Sequence, residues 1–147
     1  MTTERTTIRW KEISGTLLIV HGKVQPDPAE WDAMIRESRA LASKLRRTLV
    51  FADITLTAEQ RRQVAELHKL ASTRAVAVVT SSSLSRMIVT ALSWLNSVHR
   101  AFEPREVNAA LDYLQVLPDE RRILLETARQ FARELNHDSL RKSLEAA

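Results

Sequence analysis

The residues able to do chemistry in this chain are few and oddly distributed. Four histidines occur, His21, His68, His99 and His137, together with the run Ser81-Ser82-Ser83, and cysteine is absent. Without cysteine there is no thiolate nucleophile, no thiolate metal site and no disulfide. No two histidines are spaced as H-x-x-x-H or H-x-H, so spacing gives a metal site no support. Gly15 and Gly22 are the sole glycines, which excludes the glycine-rich phosphate loops. A G-x-S-x-G nucleophile turn is likewise missing. The expectation is a protein without a catalytic residue, metal or cofactor, and hence not an enzyme.

Two polar turns remain as candidates for interaction. Asp53 closes the apolar run "TLVFAD", at the strand end where α/β sheets tend to place ligands, and Thr55 and Thr57 follow it. Asp53 can equally fix the turn ahead of the next helix. Thr57 and Gln60 form a T-x-x-Q capping box. Ser81, Ser82 and Ser83 stand where a second apolar run, "AVAVV", hands over to a helix. One serine there satisfies the unpaired N–H groups of the first turn. The alternative use is an anion site, with Arg86 one turn inside the helix.

That helix is unusually oily. Leu84, Met87, Ile88, Ala91, Leu92, Leu95 and Val98 form a stripe expected to face the core, with Val89 and Trp94 outside it on opposite flanks. Such a helix needs a cover. Either the C-terminal helix of the same chain supplies it, or a partner does, with Trp94 as an anchor.

The elements that must hold these residues follow from capping and periodicity. "TIRWKEI" and "TLLIVHGKV" flank Ser14-Gly15 and read as a hairpin. Asp27, Pro28 and Glu30 open a helix by a D-x-x-E box, carrying Trp31, Met34, Ile35, Ser38, Leu41 and Leu45 on one stripe. The helix after Thr57 turns Val64, Leu67, Leu70 and Ala71 inward, and "HRAF" reads as a short strand after the oily helix. Pro104 opens a helix with Val107, Leu111 and Leu114. Pro118 opens a last one with Leu124, Ala128, Phe131 and Leu135, closed by Asn136 and followed by a short turn capped by Asp138 or Ser139. His21 and His99 belong in or beside strands, and His68 and His137 at helix surfaces. The fold class is therefore α/β, an N-terminal hairpin and then alternating strands and helices, with the later strands parallel.

The chain is 147 residues long, 44% apolar and 27% charged, with a formal charge of +4. One domain is expected, with 1–117 as its α/β body and 118–147 as a helical extension packed on it. Apolar runs such as "LLIV" are too short to cross a bilayer, and the N-terminus has no apolar signal core, so a cytoplasmic location is expected. Arg122, Arg129 and Arg133 line one face of the last helix, but Glu126 shares that face and no aromatics are interleaved, which argues against nucleic acid.

The order hairpin, helix, strand, helix, strand, helix, short strand, helix resembles the STAS superfamily, and more closely its SpoIIAA-like branch. The segments "GTLLIVHGKVQPDPAEWDAM", "LVFADITLTAEQRR", "AVAVVTSSSLSRMIVTALSWL" and "VHRAFEPREVNAALDYL" carry the likeness across about residues 7 to 116. The resemblance implies a SpoIIAA-like sandwich with an extra C-terminal helix, a bacterial cytoplasmic signalling module that acts by binding proteins. It also implies a switch hydroxyl opening the helix after the Asp-ending strand. Thr57 stands near that place, but the family's D-S-x-G pattern is absent from Asp53-Ile54-Thr55-Leu56-Thr57. A protein partner docking on the Asp53–Thr57 turn, the Ser81–Arg86 turn and Val89 with Trp94 is the leading expectation. A homodimer through Trp94 is one form of it, and a carrier of a small apolar or lipid-like ligand is the alternative.

Overall fold

The computed structural model describes residues 7–95 and 98–147, with the side chains of 91–95 not described. Strands β1 (Ile8–Ile13) and β2 (Thr16–His21) form the expected hairpin. Ser14 and Gly15 both take positive φ, 49° and 86°, the signature of a turn whose twist matches that of the paired strands. A side chain at Gly15 would also crowd the Lys44 carbonyl, 3.3 Å from the added carbon.

Three strand–helix units follow. Helix α1 (Pro28–Ala40) leads to β3 (Arg47–Phe51), α2 (Ala58–Ala71) to β4 (Ala75–Val79), and α3 (Ser83–Leu95) to β5 (His99–Phe102). The sheet order is β1-β2-β3-β4-β5, with β2 through β5 parallel and β1 antiparallel at the edge. Each crossover advances by one strand in the same direction. With the right-handed rule, that places α1, α2 and α3 on a single face.

The opposite face then needs its own cover. Helices α4 (Val107–Tyr113), α5 (Pro118–Glu134) and α6 (Asp138–Glu145) supply it. The two-residue period of the strands divides the core accordingly. Leu18, Val20, Leu49, Phe51, Ala77 and Val79 meet Leu111, Leu124, Ala128, Phe131, Leu140 and Leu144 on the α4–α6 side. Leu17 and Ile19 meet Trp31, Met34 and Leu67 on the α1–α2 side. All six residues of β2 are buried, as a central strand between two helical layers requires.

Several expectations fail here for physical reasons. The C-terminal segment forms two helices rather than one with a short turn, because Asn136 at φ 55° breaks it and the chain reverses. His137, not Asp138 or Ser139, caps α6, its Nδ1 accepting from the Leu140 N–H at 3.4 Å. Because α5 and α6 pack on the other side of the sheet, they do not cover the oily flank of α3. Leu70 is exposed, the inward face of α2 passing through Leu67 and Ala71 instead. Arg129 spends its guanidinium on the Leu144 carbonyl at 3.1 Å rather than on Glu126. Asp27 caps α1 as expected, but Glu30 is buried and binds Thr7 instead of closing a box.

Candidate functional site

The two polar turns stand side by side at the carboxyl end of the sheet. Asp53 Oδ1 accepts the Ser81 N–H at 2.8 Å and the Thr80 hydroxyl at 3.3 Å. Adjacent parallel strands end at one rim, and β3 and β4 are neighbours, so their following turns meet. The carboxylate thereby occupies the position an external anion would take at the start of α3. Ser82 caps that helix through the Ser85 N–H at 3.2 Å. Arg86 is also spent inside the chain. It donates to the Thr80 carbonyl at 3.0 Å, reaches the Ser83 hydroxyl at 3.4 Å and lies 3.6 Å from Glu103. The serine turn is thus a self-contained cap.

Asp53 has a further partner that its sequence neighbourhood gives no hint of. His137 Nε2 lies 3.4 Å from its Oδ2, and the Ser139 hydroxyl lies 3.2 Å from His137 Nδ1. The hydrogen bond from His137, with help from Ser81, holds the Asp53 carboxyl well below the usual carboxylate range, although partial burial opposes the shift. His137 is 3% exposed, so its expected place at a helix surface is wrong. Serine, histidine and aspartate here follow the order of a hydrolytic relay. The adjoining cleft, however, is only about 50 Å³, and His137 Nδ1 is shared with the cap of α6. Its chemistry is that of a clamp between the β3–α2 turn and the α5–α6 corner. Thr57 is engaged in its box with Gln60, at 3.1 and 2.9 Å. The Thr55 carbonyl accepts from Gln25 at 2.8 Å.

The larger feature lies on the other face. A cavity of about 300 Å³ opens between the sheet and helices α1, α2 and α3. Ile19, Val50, Val76 and Val78 form its floor, Trp31, Met34 and Val64 one wall, and Ile88 and Val89 another. Ile54, Thr55, Leu56 and Arg61 complete its lining from the β3–α2 segment. α3 is set against β5, so its oily inner face bounds this space. Its orientation inverts the expected stripe. Val89 is 8% exposed and faces inward, while Leu84 and Met87 are 59% and 68% exposed. Trp94, the other flank residue, has its side chain outside the described residues.

Into this apolar space project three of the four histidines. His21 ends β2, His99 begins β5, and His68 sits on the inward face of α2, 6% exposed rather than at the surface. The His68 and His99 rings lie 5.7 Å apart, and His21 packs beside Trp31 at 6.2 Å. Among the described residues no partner meets His21 Nδ1, His99 Nδ1, the Ser85 hydroxyl or either nitrogen of His68. Burial lowers all three imidazoles, His21 to about 4 and His68 to about 3, the latter also opposed by His99. At neutral pH they are uncharged hydrogen-bonding groups in a greasy wall.

Of the residues singled out from the sequence, Thr55 and Val89 line this cavity. Asp53, Ser81, Ser82, Ser83 and Arg86 form the neighbouring rim. The histidines and Ser85 were not singled out, and their sequence separations conceal a convergence that only parallel strand alignment produces. Among the described residues no three His, Asp or Glu side chains could hold a metal ion. None of the described helices is long and apolar enough to cross a membrane. No family model, curated protein or solved structure matches the chain.

Proposed function

We propose that this chain is a non-enzymatic binding module of STAS-like, SpoIIAA-like build that carries a small, mainly apolar ligand beneath α3. One observation carries the reading: a cavity of about 300 Å³ with an almost wholly apolar lining and a few convergent polar groups. That combination is the ordinary design of a small-molecule site, at the small end of the usual size range. Support for the build comes from the hairpin followed by three units that each advance one strand in the same direction. The test is calorimetric titration of the full chain with butylbenzene, alongside Val64→Trp, which places a large ring in the cavity wall. Saturable binding that the variant loses while keeping its circular dichroism supports the reading. Equal behaviour of the two proteins removes it.

A second reading rests on Leu84 and Met87, one helical turn apart and exposed on the outer side of α3 beside the Asp53–Ser81 rim. In it the module docks a protein, or a second copy of itself, through that strip. Light scattering of wild type and Met87→Glu separates the self-association case: a dimer mass that the variant reduces to a monomer is the supporting result.

A further inference from the structure

Five unmet hydrogen-bonding atoms around one apolar cavity are a costly arrangement for a fold to keep without use. His21 and His68 are more than nine-tenths buried, and together with His99 and Ser85 they face the same space. A buried polar atom left without a partner loses the hydration it had in the unfolded chain and gains nothing in return. The arrangement becomes intelligible when the missing partner arrives with a ligand.

We propose that the ligand of this cavity is an uncharged molecule whose polar group is a hydroxyl, held among His68, His99, His21 and Ser85 with its apolar body against Ile19, Val50, Val76 and Val78. The inference rests on the apolar-ligand reading above and adds the chemistry of the ligand's head. A neutral imidazole presents one N–H donor and one acceptor nitrogen. His68 has both unmet, so it wants a group able to accept and donate at once. A hydroxyl is the smallest group that does both. A carbonyl can only accept, and would leave the acceptor nitrogen of His68 unanswered.

A carboxylate or phosphate fits poorly. Burial keeps the imidazoles in the neutral form, so the cavity offers no positive charge at its polar cluster. Among the described lining residues the one cationic side chain is Arg61, which is exposed and donates to the Leu56 carbonyl at 2.7 Å. An acid would have to seat its head at Arg61 and leave the histidines as they are. It would also carry the penalty of desolvating a charge wherever it entered the cavity.

The experiment compares para-butylphenol, butylbenzene and para-butylbenzoate by isothermal calorimetry on the full chain and on His68→Phe. Phenol is less hydrophobic than benzene, so a preference for the phenol has to come from hydrogen bonding. The expected result is para-butylphenol bound about tenfold tighter than butylbenzene and than para-butylbenzoate. In His68→Phe the phenol should lose most of that advantage, while butylbenzene keeps its affinity. Butylbenzene binding as tightly as the phenol in wild type overturns the hydroxyl proposal and leaves the apolar-ligand reading standing. So does para-butylbenzoate binding tightest, which would put the head at Arg61. If none of the three binds, the apolar-ligand reading itself falls. The wild-type series decides these outcomes even if His68→Phe does not fold, and His99→Leu then serves as the second variant.

Discussion

Asp53 and His68 show how differently two buried ionisable side chains can serve one domain. Asp53 is fully employed, holding the Ser81 N–H, the Thr80 hydroxyl and His137. Replacing it by alanine leaves those groups unmatched, and we expect Asp53→Ala to cost about 1–2 kcal/mol in urea denaturation, since the carboxylate is partly exposed. Ser81→Ala is the control: only its backbone serves Asp53, so its stability should stay within about 0.5 kcal/mol of wild type. His68 is the reverse case, with neither ring nitrogen met. His68→Phe keeps a ring beside His99 and removes the unmet atoms, so a gain of about 1 kcal/mol or more is expected in the same measurement. A loss instead would mean the imidazole is better satisfied than its surroundings indicate.

At the scale of elements, the caps explain why each helix starts where it does. Thr57 and Gln60 answer two backbone donors reciprocally at the head of α2, and Thr57→Ala should lower the thermal midpoint by an amount equivalent to about 1 kcal/mol, with Thr57→Ser nearly neutral. The sequence announced this cap completely, because its residues are three apart. It announced α3 less well. Periodicity identified the helix, but its rotation about its own axis depends on what lies beneath it. With a cavity below rather than a filled core, Val89 and Ile88 turn inward and Leu84 and Met87 are left outside.

The whole molecule is a sheet covered by two layers of different kind. The α4–α6 layer contributes Leu124, Ala128, Leu140 and Leu144 to the larger core, so residues 118–147 are structural rather than ornamental. A chain ending at residue 117 would expose the face of Leu18, Leu49 and Phe51, and loss of a cooperative thermal transition is expected. The other layer governs acid behaviour. His21 and His68 titrate near 4 and 3 in the folded protein, against 6.5 ordinarily. The unfolded chain therefore takes up protons first as pH falls. Stability should be full above about pH 6.5 and decline toward pH 3, by an order of a few kcal/mol, with Asp53 adding its own loss below about pH 4. Denaturant midpoints across that window check it, and His68→Phe should flatten the decline.

The sequence by itself determined everything that local chemistry settles: the hairpin turn at Ser14-Gly15, the helix starts at Asp27, Thr57 and Ser82, and the alternation that makes an α/β sheet. It also placed the Asp53 and Ser81 turns together, because neighbouring parallel strands must end at one rim. The tertiary structure alone decided that His137 reaches back to Asp53 and that His21, His68 and His99 converge. Those meetings join residues tens of positions apart, and their partners are set by layer packing and strand register, which leave no periodic trace in the chain.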